Sequence, residues 1–427
     1  MKKRKLGVLS AGLIALVSLS NDVQAMPMFA KQTGLDCKAC HLQHIPKLNA
    51  TGRSFAASGM TQSSKSADAN SSGMDLNPSI MFKSIYEKTW DLPTSTGTIK
   101  DTPTQDGDLA VPKTATLFIG GRVNEKVGAI INLSYKDAED NSIGGKVVYA
   151  NQIDGGYWGT AVYSSDNFGP FSGMENYNSS LYKPLKTFDM KKYSNAFQVT
   201  NIGSGASTGV QFYYDKDNLV AGGDHVFGSV GVYSPTQDNR YMNLASNMLP
   251  FARVAYEYPV GDFNLILGAF GIVGGSTVSS TESMHIKRET YGMDFQVEGM
   301  MFDKSISLIM SNVFRNKLTY TGLGSGEDVE EFKDVLNDAF SVEGEVNLTP
   351  DFGIKAAYMT MNDRYVYTIK PRKNNVLDID SAYTIGLDYS FEAYLPMKLA
   401  IEHAWVNPYL DRVSDYEDFM VTLNILY

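Results

Sequence analysis

The run Cys37-Lys38-Ala39-Cys40-His41 carries the clearest chemistry in this sequence, and its two cysteines are the only two among 427 residues. Two thiols three positions apart can bond to the two vinyl groups of one haem, while the adjacent imidazole ligates the iron. A thioredoxin-like dithiol would need a surrounding βαβ pattern, and a structural zinc site would need four clustered ligands. The run therefore predicts one covalently bound haem c, with His41 as the proximal axial ligand.

The distal ligand of the iron stays open at the level of the sequence. Met60 is a candidate, since a methionine ligand raises the reduction potential, although an apolar contact with the haem would equally explain it. His44 follows His41 by three residues on the same helical side. That spacing favours a role in the haem vicinity, at a propionate, in proton relay or on a substrate metal. Met28 and Met74 are further alternatives.

The N-terminal part divides into three predicted segments. A basic start, a short apolar run and a small-residue exit predict a secretory signal peptide over residues 1–25. Residues 26–62 form a compact, partly helical segment that carries the haem motif and is too short to bury a core unaided. It needs either the haem as its core or a surrounding wall. Residues 63–77 are rich in Ser, Ala and Asn and are typical of a polar tether.

Residues 78–427 follow a period of two, the signal of β-strands. In the last segment Phe419, Val421 and Leu423 alternate with Met420 and Thr422. Short turns alternate with long polar loops, which is typical of an outer-membrane antiparallel barrel. We therefore predict a mainly β fold with about 16 strands, within a range of 16–18. The long loops are predicted near 91–112, 164–194, 236–248, 273–285, 316–337 and 362–379.

The alternative for this region is a large soluble β-sandwich or a β-helix. The predicted outward face stays apolar through many consecutive segments, and the chain has 25 Tyr and 21 Phe, which suits the aromatic girdles of a membrane barrel. No repeat of fixed period is visible, which argues against a solenoid. The net charge of −10 argues against a nucleic-acid partner.

The remaining histidines and acidic runs give weaker signals. His403 shares a strand face with Ile401 and Trp405, which predicts an outward or girdle position. His285 falls at a loop–strand boundary, and His225 follows Asp224. The acidic runs at 137–140 and 326–334 fit solvated loops, with divalent-ion binding as the alternative. No P-loop and no His-Glu-x-x-His run occurs in the sequence.

The N-terminal segment resembles the fused monohaem cytochrome–porins of the bacterial outer membrane, a family best known for the iron oxidases of iron-oxidising bacteria. The remaining 350 or so residues match this family only in length, strand pattern and terminal aromatic. At positions 31, 51 and 60 the family carries an arginine and two aromatics, whereas this chain carries Lys31, Thr51 and Met60. The matching residues are Pro27 to Gly34, Cys37, Cys40, His41, Gln43, His44, Pro46, Leu48, Asn49, Gly52, Arg53, Phe55 and Gly59.

The resemblance implies a barrel of roughly 16 strands in the bacterial outer membrane, in contact with its lipid. The small cytochrome would sit in or at the periplasmic mouth, with its single haem c on the periplasmic or lumen side. Fe(II) or another small extracellular reductant would be oxidised, and a periplasmic c-type cytochrome would take the electron. Two alternatives stay open: outward electron transfer to extracellular acceptors, and a solute porin whose haem segment is a plug or sensor.

Overall fold

A computed structural model describes most of the chain. The described ranges are 28–42, 47–64, 73–90, 107–135, 141–165, 195–200, 207–219, 223–234, 248–277, 285–321, 335–365, 379–391, 397–408 and 415–427. The predicted signal peptide, most of the predicted tether and both acidic runs lie outside these ranges.

The described residues include four short helices, which precede or interrupt a long series of strands. The helices are α1 (Met28–Thr33), α2 (Cys37–Cys40), α3 (Ala50–Ala57) and α4 (Ala196–Val199). The strands are β1 (Asp75–Trp90), β2 (Asp108–Arg122), β3 (Val127–Tyr135), β4 (Asn141–Ile153), β5 (Gly156–Ser165), β6 (Ser207–Asp217), β7 (His225–Ser234), β8 (Leu249–Val260), β9 (Phe263–Thr277), β10 (His285–Met301), β11 (Lys304–Thr321), β12 (Val335–Asn347), β13 (Phe352–Tyr365), β14 (Ile379–Phe391), β15 (Met397–Pro408) and β16 (Tyr416–Leu426). No described helix is long and apolar enough to cross a membrane.

The strands form one closed antiparallel barrel. Each strand pairs with its neighbours in chain order, and β1 closes the sheet against β16, with Met81 opposite Leu426. The predicted mainly β fold is therefore confirmed, with sixteen strands in the described chain rather than eighteen. Most connections at one end have two to four residues, such as the turns after β2, β4, β8 and β10. We call this the short-turn end and the opposite one the long-loop end.

The strands run further than the sequence pattern predicted, so several loops are shorter than expected. β9 ends at Thr277 and β11 ends at Thr321, whereas the predicted loops began at 273 and 316. Strand ends that extend beyond an apolar belt can be polar on both faces, and they then lose the alternation that marks a strand.

The barrel carries apolar side chains outward and polar side chains inward. On β14, Tyr383 and Ile385 face outward with exposures of 58% and 51%, whereas the neighbouring Thr384 and Asp388 face the lumen at 1%. The pleat places successive side chains on opposite faces, so the alternation in the sequence becomes two chemically different surfaces. An apolar outer band around a closed barrel is the surface that a bilayer covers, because closure pairs every strand edge.

Ion pairs stabilise the lumen side of the sheet. Lys355 Nζ lies 2.7 Å from Glu402 Oε1, and Arg253 donates to both carboxylate oxygens of Asp294 at 2.7 and 3.1 Å. All four side chains are buried. Pairing of this kind offsets the desolvation of buried charges on the lumen side.

A charged substitution on the outer band tests the membrane-facing assignment. We expect Ile385→Arg to destabilise the barrel in lipid by about 2–4 kcal/mol, because this position lies between the ends of β14 within the apolar band. Phe391→Arg, at the short-turn end of the same strand, should cost only about 0–1 kcal/mol, since it lies near the interface. Urea unfolding in lipid vesicles measures both. Equal losses for the two variants would contradict a depth-dependent apolar band.

Candidate functional site

The two cysteines of the predicted haem motif lie on a single helical turn. α2 spans Cys37–Cys40, and the backbone N–H of His41 donates to the carbonyl of Cys37 at 3.0 Å. Residues three apart in a helical turn lie on one side of it, so both thiols belong to one face of α2. Both cysteines are half-buried and form no disulfide. Burial raises the pKa of the Cys40 thiol above its ordinary value.

The N-terminus of helix α3 packs against the turn of α2. The side-chain oxygen of Asn49 caps α3 by accepting from the N–H of Gly52 at 3.0 Å, and its amide donates to the carbonyl of Ala39 at 3.0 Å. The backbone N–H of Asn49 also donates to the carbonyl of Cys40 at 3.0 Å. His41, which follows α2, and Leu48, which precedes α3, form an isolated antiparallel bridge. The motif is therefore held by backbone contacts of its own segment.

Gly52 is required where α3 approaches α2. A Cβ built at Gly52 would lie 2.2 Å from the carbonyl oxygen of Cys40, a distance at which the backbone must move. We expect Gly52→Ala to separate α3 from α2 and to lower the yield of covalently attached haem several-fold. The haem-to-protein ratio of the purified full chain measures this effect. Gly228→Ala on β7 is the control, since a Cβ there meets nothing within 4 Å and its backbone is not left-handed, and an equal loss in both variants would contradict the packing argument.

Arg53 makes the strongest contact between the N-terminal segment and the barrel wall. Its Nη2 donates to Glu257 Oε1 on β8 and to Glu298 Oε1 on β10, both at 2.6 Å. Its Nη1 donates to the carbonyl of Leu48 at 2.9 Å. All three charged side chains are buried. One guanidinium therefore bonds to two buried carboxylates, and its removal would leave both without this cationic partner.

Further hydrogen bonds link the segment to other strands. Lys47 Nζ donates to Ser307 Oγ at 2.7 Å, and Tyr213 Oη donates to the carbonyl of Ala57 at 2.7 Å. Gln32 Oε1 accepts from the N–H of Arg122 at 3.1 Å, while Gln32 Nε2 donates within the segment to the carbonyl of Met60 at 2.8 Å. These barrel residues lie on the halves of their strands next to the short turns. The described N-terminal segment, 28–42 and 47–64, therefore occupies the lumen at the short-turn end.

The residues present fit a haem c. Two half-buried thiols on one turn and an adjacent imidazole form the donor set that covalent haem attachment and proximal ligation require. Cys37 and Cys40 would hold the group covalently, and His41 would ligate its iron.

The candidate distal ligands occupy different surroundings. Met60 is buried with Met28 and Phe55 in the hydrophobic core, and its backbone has a positive φ of 62° directly after Gly59. Met74 is exposed. His44 lies outside the described residues. Ligation of an iron by any of these side chains stays a prediction.

The barrel histidines lie apart from the motif. His403 faces outward, as predicted, where its ring contacts Trp90 and Trp405 at centroid distances of 5.9 and 4.4 Å. His225 begins β7, where its ring nitrogens lie 3.0 and 2.7 Å from Asp215 and Asp217. Carboxylate pairing explains the position of His225 without a metal. Within the ranges given above, no group of three or more His, Cys, Asp or Glu side chains could hold a metal ion.

Sequence reasoning missed the two glutamates that receive Arg53. Glu257 and Glu298 follow Arg53 by 204 and 245 residues, and no local pattern connects them. It also missed α4, which turns inward from the 166–206 connection. The backbone N–H of Ala196 donates to Ser341 at 2.8 Å, and Phe197 packs edge-to-face on Phe270 at 4.9 Å. The sequence could indicate only that a polar residue on a later strand faces the lumen; it could not indicate which residue contacts it.

No family model and no curated relative matches the sequence. Among solved structures, similar ones include OmpT of Vibrio cholerae (11% identity, TM-score 0.46, covering 82% of this chain and 97% of that one). Another is the outer-membrane channel DcaP of Acinetobacter baumannii (12% identity, TM-score 0.47, covering 83% of this chain and 96% of that one). A third is OmpF of Salmonella typhi in complex with daunomycin (12% identity, TM-score 0.48, covering 83% of this chain and 98% of that one). The fold assignment rests on this chain's own strand pairing: it is a closed sixteen-stranded antiparallel β-barrel.

Proposed function

We propose that this chain is an outer-membrane protein that transfers electrons between a small extracellular reductant, such as Fe(II), and a periplasmic c-type cytochrome. The observation that carries the proposal is the position of the Cys37–His41 motif. The motif belongs to a segment that hydrogen bonds hold inside the short-turn end of a closed barrel. The outer band of this barrel is apolar. In barrels of the bacterial outer membrane, short turns face the periplasm.

In this proposal the barrel provides the path across the membrane, and the N-terminal segment holds the redox group. A bilayer core is about 30 Å thick, and a closed barrel provides a polar path through it. A bound haem c would supply one-electron redox chemistry at the periplasmic end of that path. Arg53 and Lys47 fix the segment to the wall, and α4 narrows the lumen between the segment and the long-loop end.

Spectroelectrochemistry of the purified full chain, with and without Fe(II), tests this function. We expect a c-type haem spectrum, one covalent haem per chain and reduction of that haem by Fe(II). Failure of Fe(II) to reduce the haem, in protein shown to be folded and haem-loaded, would reject the iron version. A haem potential well below that of the Fe(III)/Fe(II) couple at the working pH would instead favour outward electron transfer to extracellular acceptors.

A solute porin is the second candidate, and the strand count favours it. Barrels of 16–18 strands are wide enough to leave an aqueous channel, and the segment would then be a plug or sensor. Solute flux into vesicles carrying the full chain distinguishes the two functions. Flux that persists in His41→Ala, with no electron transfer in the parent protein, would support the porin.

A further inference from the structure

Arg288 is a buried cation near the long-loop end of the lumen, far from the N-terminal segment. It lies three residues after the start of β10 and is 7% exposed. Its guanidinium donates to three neutral groups: Thr290 Oγ1 at 3.1 Å, Tyr233 Oη at 3.4 Å and Asn316 Oδ1 at 3.4 Å. None of the carboxylates described in the structure forms an ion pair with it. The other buried arginines of the described chain, Arg53 and Arg253, are both paired with carboxylates.

The cluster around Arg288 has more hydrogen-bond donors than acceptors. Arginine has five N–H donors, and three are used. The hydroxyl of Thr290 already donates to Asn316 Oδ1 at 2.8 Å, and the amide of Asn316 donates to the carbonyl of Thr200 at 3.1 Å. Tyr233 accepts from Arg288, so its own proton is available to another acceptor. The cluster therefore presents a positive charge and spare donors, and it requires an acceptor.

Tyr163 places another donor beside the same cluster. Tyr163, Gly209 and Tyr233 lie opposite one another on β5, β6 and β7. A Cβ at Gly209 would lie 2.6 Å from the hydroxyl of Tyr163, so this ring lies over the glycine. The hydroxyl is buried and has no hydrogen-bond partner, and the same holds for the side-chain amide of Gln211, two residues along β6. Unsatisfied buried polar groups are costly unless a ligand or water satisfies them.

We propose that Arg288, Tyr233 and Tyr163 form a binding site for a small oxyanion, such as a carboxylate or inorganic phosphate, at the long-loop end of the lumen. A planar guanidinium with spare N–H groups matches the oxygens of such an anion. The tyrosine hydroxyls add neutral donors without adding charge. The site does not depend on the haem, because every residue in it belongs to the barrel wall.

Direct anion binding to the full chain in detergent micelles tests the site. The probes are inorganic phosphate, followed by ³¹P line broadening, and ¹³C-labelled acetate, each at an ionic strength held constant with chloride. We expect saturable broadening with at least one probe. Arg288→Gln should weaken that binding by about tenfold or more, because a hydrogen bond to a charged group is lost.

Arg315→Gln is the matched control. Arg315 lies on the adjacent strand β11, where its side chain is 41% exposed and pairs with Glu289 at 2.9 Å. The variant loses the same charge near the same end of the barrel and should bind the probe as the parent does. Equal weakening in both variants would mean that the overall field, not a built site, attracts the anion, and it would overturn the proposal.

A second variant keeps the proposal testable if Arg288→Gln does not fold. The double variant Tyr163→Phe, Tyr233→Phe keeps the charge and the ring volume and removes both hydroxyl donors. We expect its affinity to fall several-fold, with an unchanged heat-modifiable mobility on gels. Unchanged affinity in this folded variant, or no saturable binding of either probe to the parent chain, would overturn the site.

Discussion

Replacing Arg53 with leucine will release the N-terminal segment from the barrel. In the docked state of this variant, Glu257 and Glu298 lie buried without the guanidinium that contacts both at 2.6 Å in the parent protein. Removing one partner of a buried ionic cluster costs about 3–5 kcal/mol, which corresponds to a shift of roughly two to four orders of magnitude in the equilibrium between docked and undocked segment. Limited proteolysis of the folded chain will report this shift as faster cleavage between residues 28 and 64.

Two further variants separate charge from shape at this cluster. Arg53→Lys keeps the charge but loses the planar fork, so we expect intermediate protease resistance. Arg53→Leu combined with Glu257→Gln and Glu298→Gln removes all three charges and should recover part of the resistance. If Arg53→Leu alone remains as resistant as the parent, the cluster does not hold the segment in place.

We expect the double variant Cys37→Ser, Cys40→Ser to lack the proposed covalent haem entirely while its barrel still folds. The two thiols are the only ones in the sequence, so no other side chain can form a thioether. Both side chains are half-buried on α2, which packs mainly against α3. Intact mass after denaturation will show the chain without one haem, and heat-modifiable mobility will report the folded barrel.

The single variant Cys37→Ser serves as the control for this experiment. It keeps Cys40 and His41, so one thioether bond can still form, and we expect a lower yield of attached haem rather than none. A haem mass that persists in the double variant would contradict attachment at these cysteines. A barrel that fails to fold only in the double variant would instead assign the thiols a structural role.

The sequence by itself determined the two faces of the barrel and the composition of the site. Alternation such as that of Tyr383, Thr384 and Ile385 predicts one outward and one inward face because the pleat has a period of two. The Cys37–His41 motif is equally local, since its donors lie within five consecutive residues. Tight turns at regular intervals predicted antiparallel neighbours, and the strand count fell within the expected range.

Only the tertiary structure decided which side chains meet across the lumen. Closure of the sheet brings β8 and β10 around the segment, so that Glu257 and Glu298 reach Arg53 from positions more than 200 residues away. The same closure places Arg288, Tyr233 and Tyr163 from three separate strands beside one another. Inward polar residues all follow the same period of two, so the sequence can state that they face the lumen but not at which depth or beside which partner. Register and barrel closure, which are set by pairing along all sixteen strands, supply that information.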